Sequence, residues 1–177
     1  CGWDCSLKIF SYSYNVQMNS AQIQTQSVLN QKLEDIPLSM IWKGENFNIL
    51  YGMGNGNISE MDLNTNQSIL VGKHEAGVKG LIWLPNLSVL LSGGWDGKIN
   101  AWDCRSPNPI ATYSFGKKVF TMSASQNLMV VGLQDRLISY FNLSLIGQKF
   151  APEATFESHL KYQTRCVSTF IEGNGYA

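Results

Sequence analysis

A chain of 177 residues that is 44% hydrophobic, 11% aromatic and 15% charged can bury a core, and its thirteen basic residues balance thirteen acidic ones. Zero formal net charge excludes a partner held mainly by long-range attraction, such as bulk duplex DNA, and leaves only local patches for electrostatic recognition. No apolar run nears the roughly 18 residues of a membrane span, and the first residues lack the charged and apolar regions of a secretory signal, so no membrane insertion and a cytosolic or nuclear location are expected.

Taken in order, the chain reads as a series of short strands. Gly2-Trp3-Asp4 makes a tight turn, after which Leu7, Ile9, Tyr12 and Tyr14 alternate as in a half-exposed strand. Val16 to Glu34 is polar and carries Gln17, Gln22, Gln24, Gln26 and Gln31, which predicts a long connection or an outer hairpin. Leu38 to Trp42 and Phe47 to Met53 are the next two strands, followed by the turn Gly54-Asn55-Gly56 and a further strand at Ser68 to Val71. Leu90 to Asp103, LLSGGWDGKINAWD, is the clearest hairpin: an apolar run, a glycine-rich turn and a second alternating run. Pro107 and Pro109 interrupt the connection to an outer strand at Ile110 to Tyr113. Another hairpin occupies Lys118 to about Gly147, Phe150 to Ser158 reads as irregular, and HLKYQTRCVSTF from His159 predicts an entrance loop and a strand.

These hairpins share one template. Moving Leu90 to Asp103 back by about one repeat of 40 residues lays Tyr51-Gly52 on Ser92-Gly93 and Asn55-Gly56 on Asp96-Gly97. Moving it forward lays Val131-Gly132 on Ser92-Gly93, Asp135 on Asp96 and Phe141-Asn142 on Trp102-Asp103. Gly2-Trp3-Asp4 and Leu7 to Phe10 repeat the turn and following strand once more. Self-similarity at this period marks propeller blades.

The stretch Leu90 to Asp103 resembles a WD repeat, with His74 one blade-width upstream. His74, Ser92, Asp96 and Trp102 match the buried network of such repeats, complete here and partial elsewhere. Tyr51, Asn55 and Met61 stand in the corresponding places of the preceding repeat. The expected fold is therefore all-β, a WD40-type β-propeller, and the chain is expected to form a partial ring of about four blades out of about seven. Residues 1–16 would end a first blade, 36–71 form a second, 72–114 a third and 115–149 a fourth, while 159–177 begin a fifth. A small closed ring, its two ends completing one blade, is the alternative.

Three segments narrow the resemblance: NTNQSILVGKHEAGVK at 64–79, LLSGGWDGKINAWDCRSPNP at 90–109 and SHLKYQTRCV at 158–167. They resemble the branch formed by the nuclear-pore mRNA-export factor and its mitotic spindle-checkpoint relative. Gly77 departs from the proline usual there, and Gly94 from the usual small residue before Trp-Asp. The long segment before Ile36 and the run Arg-Ser-Pro-Asn-Pro look like the export factor, whereas LKYQTRC and the compact Gly80 to Gly93 spacing look like the checkpoint protein. The resemblance implies a non-enzymatic scaffold at the nuclear pore, or at the kinetochore in the alternative reading. Its partner would be a linear segment of a nucleoporin or of a checkpoint kinase, with single-stranded RNA as a further ligand in the export branch.

Candidate site residues follow from blade geometry. Trp3 and Trp95 each precede a turn aspartate on the loop between two strands of a hairpin, where a tryptophan either packs over its own blade or is offered to a ligand. Lys161, Tyr162 and Arg165 sit on the entrance to the fifth unit, on the same face, as a partner site or a solvated charge pair. Lys117-Lys118 reads as a solvated loop. A hydrolase using His74, Ser92 and Asp96 is the enzyme alternative. It is disfavoured because catalysis needs an exposed nucleophile beside its base, and no P-loop, His-Glu-x-x-His or Gly-x-Ser-x-Gly pattern occurs. Cys1, Cys5, Cys104 and Cys166 have no metal-like spacing, and with only His74 and His159 beside them neither a metal, a cofactor nor a small-molecule substrate is expected. Free buried thiols are the expected state.

Overall fold

The structure, a computed structural model, describes residues 2–17, 20–44 and 47–177; Cys1 lies outside them. It opens on a long antiparallel hairpin of β1 (Ser6–Gln17) and β2 (Ser20–Lys32). Three four-stranded sheets follow, each with its strands in sequence order and antiparallel. The first contains β3 (Pro37–Trp42), β4 (Asn48–Met53), β5 (Asn57–Asp62) and β6 (Gln67–Lys73). The second contains β7 (Val78–Leu84), β8 (Val89–Gly94), β9 (Lys98–Trp102) and β10 (Pro109–Ser114). The third contains β11 (Val119–Ser125), β12 (Leu128–Leu133), β13 (Leu137–Asn142) and β14 (Ala154–Glu157). Among the described residues the only helical pieces are two short 3-10 turns, and the expected all-β, blade-like array is what forms.

Burial across each sheet explains the sequence pattern. β8 is buried along its whole length and β4 and β12 over all but their first residue, whereas most of β6 and β10 is exposed. A second strand covered on both faces needs a continuous apolar run, VLLSGG or LMVVGL, and an outer strand does not. The core accordingly divides into layers at the seams between sheets. Leu7 and Leu29 of the hairpin pack with Ile49, Met53 and Met61. Leu50, Ile58, Val71, Val78, Leu90 and Trp102 join the first sheet to the second, and Leu91, Ile99, Val119, Val131 and Phe141 join the second to the third. Each sheet thus depends on its neighbours, as in repeat arrays.

One polar group is held in the seam between the first two sheets. The carboxylate of Glu60, only 6% exposed, accepts from Lys43 Nζ at 2.6 Å and from Asn48 Nδ2 at 2.7 Å. The same ammonium lies 5.3 Å from the centre of the Trp83 ring on β7. Glu60→Ala is expected to cost about 2 kcal/mol in urea unfolding, because it strands a partly desolvated ammonium and an amide. Glu60→Gln, which keeps an acceptor, should cost less than half of that.

The glutamine-rich segment forms an outer hairpin, one of its two expected states: Gln24 faces Ser13 and Gln26 faces Ser11, and Ile23 to Val28 are exposed. Three expectations need correction. The third sheet runs on to Glu157, past residue 149, because β14 pairs with β13 from Leu137↔Glu157 to Tyr140↔Ala154. This strand is four residues long and mostly exposed, so its alternation of Ala154 and Phe156 with Thr155 and Glu157 is too brief to reveal it. Beyond Ser158 no full strand forms; Thr169↔Tyr176 is a single bridge, closed by reciprocal hydrogen bonds between Ser168 and Ala177 at 2.9 and 2.8 Å. That segment is fastened to β11 by hydroxyls, with Thr121 Oγ1 accepting from Val167 N–H at 3.2 Å and Ser123 Oγ from Thr169 N–H at 3.0 Å. The thiols, finally, are free but not buried: Cys166 is exposed, and Cys5 and Cys104 are partly covered, burial pushing the Cys104 thiol up.

Candidate binding face

The turn before β1 and the turns between the second and third strands of the first two sheets are closed by an acidic or amide side chain. Asp4 accepts from Ser6 N–H at 3.2 Å, Asn55 from Asn57 N–H at 3.0 Å and Asp96 from Lys98 N–H at 3.1 Å. This local bond two residues along the chain is why Asp or Asn recurs at that place. Each turn then docks on the connection leading to the next sheet: His74 N–H donates to Gly56 O at 2.9 Å, Phe115 N–H to Gly97 O at 2.8 Å and Ser158 N–H to Arg136 O at 2.8 Å. Turns and connections therefore build one face of the array.

Under the turn of the second sheet lies a polar chain. Trp102 Nε1–H donates to Ser92 Oγ at 2.7 Å, Ser92 Oγ is 2.7 Å from His74 Nε2, and His74 Nδ1 is 3.0 Å from both oxygens of Asp96. An ionised carboxylate only accepts, so the proton of the neutral His74 ring sits on Nδ1, facing Asp96. Nε2 then accepts from the Ser92 hydroxyl, which in turn accepts from the Trp102 indole. Burial pushes the His74 imidazole below its ordinary 6.5, against the pull of Asp96. Asp96 also accepts from Glu75 N–H at 3.2 Å. A Cβ on Gly94 would stand 2.5 Å from Asp96 Oδ1 and 2.6 Å from His74 Nδ1, so this site requires glycine.

Asn100, which the sequence reading missed, belongs to the same chain: its amide lies 3.3 Å from His74 Nε2 and its carbonyl accepts from Thr112 Oγ1 at 2.8 Å. The signal was available, since Asn100 is two places from Trp102 on β9 and directly opposite Ser92. Ser92 is fully buried, as is the His74 side chain. A serine so enclosed, with its hydroxyl committed on both sides, offers no approach to a substrate.

The exposed candidates fall in separate places. Trp3 is 81% exposed. Trp95, by contrast, is half-buried: its N–H donates to Gly77 O at 2.8 Å, and a Cβ on Gly77 would lie 3.0 Å from its ring. Its indole nitrogen is buried without a partner. Lys161, Tyr162 and Arg165 are all exposed, with the Lys161 ammonium 5.6 Å from the Tyr162 ring centre. Gln163 anchors this segment through Leu133 O at 2.6 Å and by accepting from Arg136 N–H at 3.3 Å. No hydrogen bond or ion pair ties Arg165 down among the described residues. Lys117 is not simply solvated, because it pairs with Asp135 at 2.5 Å and lowers that carboxyl.

Residues 55–103, which hold the Asp96 turn and most of this polar chain, match the family model for the WD domain, G-beta repeat. Residues 55–103 thus carry a WD40 repeat. It is 36% identical to the mitotic checkpoint protein bub3 of Dictyostelium discoideum over 60% of the chain and 32% of that relative. It is 34% identical to the mRNA export factor GLE2 of Chaetomium thermophilum over 66% of the chain and 32% of the relative. With the Poly(A)+ RNA export protein of Schizosaccharomyces pombe it shares 29% identity over 99% of the chain and 48% of the relative. The chain thus spans between a third and a half of the curated relatives it matches.

The other two sheets lack the full polar chain. In the first sheet Tyr51 Oη reaches Ser68 Oγ at 3.2 Å and Met61 is buried in the seam where the second sheet has Trp102. In the third, Asp135 sits at a left-handed φ of 62° and meets Lys117 instead of a histidine.

Proposed function

We propose that this chain is part of a non-enzymatic WD40 scaffold in nuclear export of mRNA, located at the nuclear pore, whose turn-bearing face holds an acidic linear segment of a nucleoporin. The observation that carries the reading is the anchored loop bearing Lys161, Tyr162 and an unpaired, exposed Arg165. A guanidinium with free donors suits a carboxylate or phosphate, and a lysine held over an aromatic ring adds local positive potential to a chain with none overall. Trp3, which is exposed, supplies apolar contact; Trp95 supplies a packed floor. The Poly(A)+ RNA export relative supports single-stranded RNA as a further ligand of this face.

The second reading, a spindle-checkpoint protein at the kinetochore that binds checkpoint-kinase segments and phosphorylated motifs, is favoured by the bub3 relatives. It uses the same cations. The test is fluorescence anisotropy with a labelled ten-residue glutamate-rich peptide and the same peptide carrying phosphothreonine. Lys161→Glu and Arg165→Glu should each weaken binding by about thirtyfold, on the order of 2 kcal/mol. Lys149→Glu, the same charge change on an exposed side chain at the other end of the third sheet, should change it by less than about twofold. Equal losses in all three variants, or a lowered melting temperature for the first two, would overturn the site. Tighter binding of the phosphorylated peptide supports the checkpoint reading.

A further inference from the structure

At the end of the array opposite the turns, a cleft of about 580 Å3 opens between the second and third sheets. We propose that it is a second binding site, which takes a neutral apolar side chain of an extended peptide segment. Its floor is Leu84, Ala124, Leu143 and Ile146, continuous with the core layer that joins the two sheets. Both flanking sheets are complete, so the cleft depends only on described residues. Its volume is within the usual range for ligand sites, roughly 300–1,000 Å3.

Two features select the occupant. No charged side chain lines the cleft. A carboxylate or ammonium entering it would lose water with no counter-charge to meet, whereas an aliphatic or aromatic group gains by burial. The proposed acidic ligand of the turn face is therefore excluded here. At the rim, Asn86 comes from the β7–β8 loop and Asn127 from the β11–β12 loop; both are exposed and their carboxamides make no hydrogen bond within the described chain. Each carboxamide offers a donor and an acceptor, the complement of a peptide unit.

The loops are set in advance. Leu87 N–H and Ser88 N–H donate to Leu84 O and Pro85 O at 3.2 Å each, and Leu143 N–H donates to Asn127 O at 2.6 Å. A ligand then orders little of the protein on binding.

The test is methyl nuclear magnetic resonance on the full chain, titrated with the blocked peptide acetyl-Gly-Ser-Leu-Ser-Gly-amide and its Asp-centred and Lys-centred counterparts. The leucine peptide should shift the Leu84, Ala124 and Ile146 methyls and saturate near about 1 mM, with the charged peptides at least about tenfold weaker. A Cβ at Gly147 meets nothing within 4 Å, so Gly147→Trp should fill the mouth and abolish the shifts. Ser144→Asp, on an exposed residue of the rim, should weaken the leucine peptide by about tenfold and serves if the first variant is unstable. Arg165→Glu should leave these shifts unchanged, which separates failure here from failure of the turn face. Equal binding of all three peptides, absence of shifts up to several millimolar, or persistence of binding in Ser144→Asp would overturn the proposal.

Discussion

Trp102→Ala is expected to destabilise the chain by about 3–5 kcal/mol, the range for deleting a buried aromatic. The side chain is 1% exposed and packs with Leu50, Ile58, Val71 and Leu90 in the seam between the first and second sheets. Its ring lies so close to Gly72 that a Cβ there would come within 2.4 Å of Cζ3, so collapse from that side is opposed by backbone. Truncation also takes the indole donor from Ser92. Trp102→Phe keeps most of the volume and loses that donor, and should cost about 1–2 kcal/mol. Because each sheet is stabilised by its neighbours, the Ala variant should also broaden the urea transition, followed by circular dichroism, as the first sheet uncouples from the second. A shift of less than about 1 kcal/mol would mean that the seam can repack around the loss.

What the sequence made legible was whatever is specified locally or by burial on both faces. The hairpin of β8 and β9 shows itself because a strand sandwiched between sheets must be apolar throughout, and because Asp96 and Gly97 close its turn by local bonds. The same two signals mark β4–β5, and the apolar run alone marks β12. Where an element is defined by pairing at an exposed edge, the signal vanishes. β14 is four residues long and mostly exposed, and Ile23 to Val28 of β2 are all exposed, so neither stretch has a buried face to mark it.

The site divides along the same line. His74, Ser92, Asp96 and Trp102 stand within one repeat, on its entrance loop, its turn and facing strands, so the repeat template carries them; Asn100 requires the cross-strand register, which the pairing of Ser92 with Asn100 supplies. Trp95 turns onto Gly77 while Trp3 stands free, although both precede a turn aspartate. The packing of Trp95 rests on Gly77 in the connection before its sheet, a contact that the repeat template does not specify. The bond between Lys117 and Asp135 likewise joins a sheet-to-sheet connection to a turn, a contact between residues that no local pattern pairs.

Asp96→Ala should cost about 3 kcal/mol near pH 8 and more as the pH falls. At pH 8 the loss is that of three donors, His74 Nδ1–H and the backbone N–H groups of Glu75 and Lys98, which all converge on this carboxylate; a buried donor left unpaired costs about 1–3 kcal/mol, and the more exposed of these regain water. The pH dependence comes from His74. Its folded-state pKa is already depressed below 6.5 by burial, with Asp96 the main opposing influence. A depressed histidine contributes stability that is complete above the unfolded value of about 6.5 and is lost as the pH falls below it, because the unfolded chain then binds the proton that the folded chain refuses. Removing Asp96 removes the opposing attraction and depresses the folded pKa further. The variant therefore continues to lose stability at a pH where the parent has levelled off, by up to about 1.4 kcal/mol per pH unit for the one proton involved. Urea unfolding at pH 8, 6.5 and 5 should show the difference between parent and variant widening downwards. The same substitution made in the background of His74→Gln should show a constant difference. An Asp96→Ala penalty that is flat across that range would mean that Asp96 does not raise the His74 pKa within it, and one that shrinks towards pH 5 would overturn the sign of the coupling.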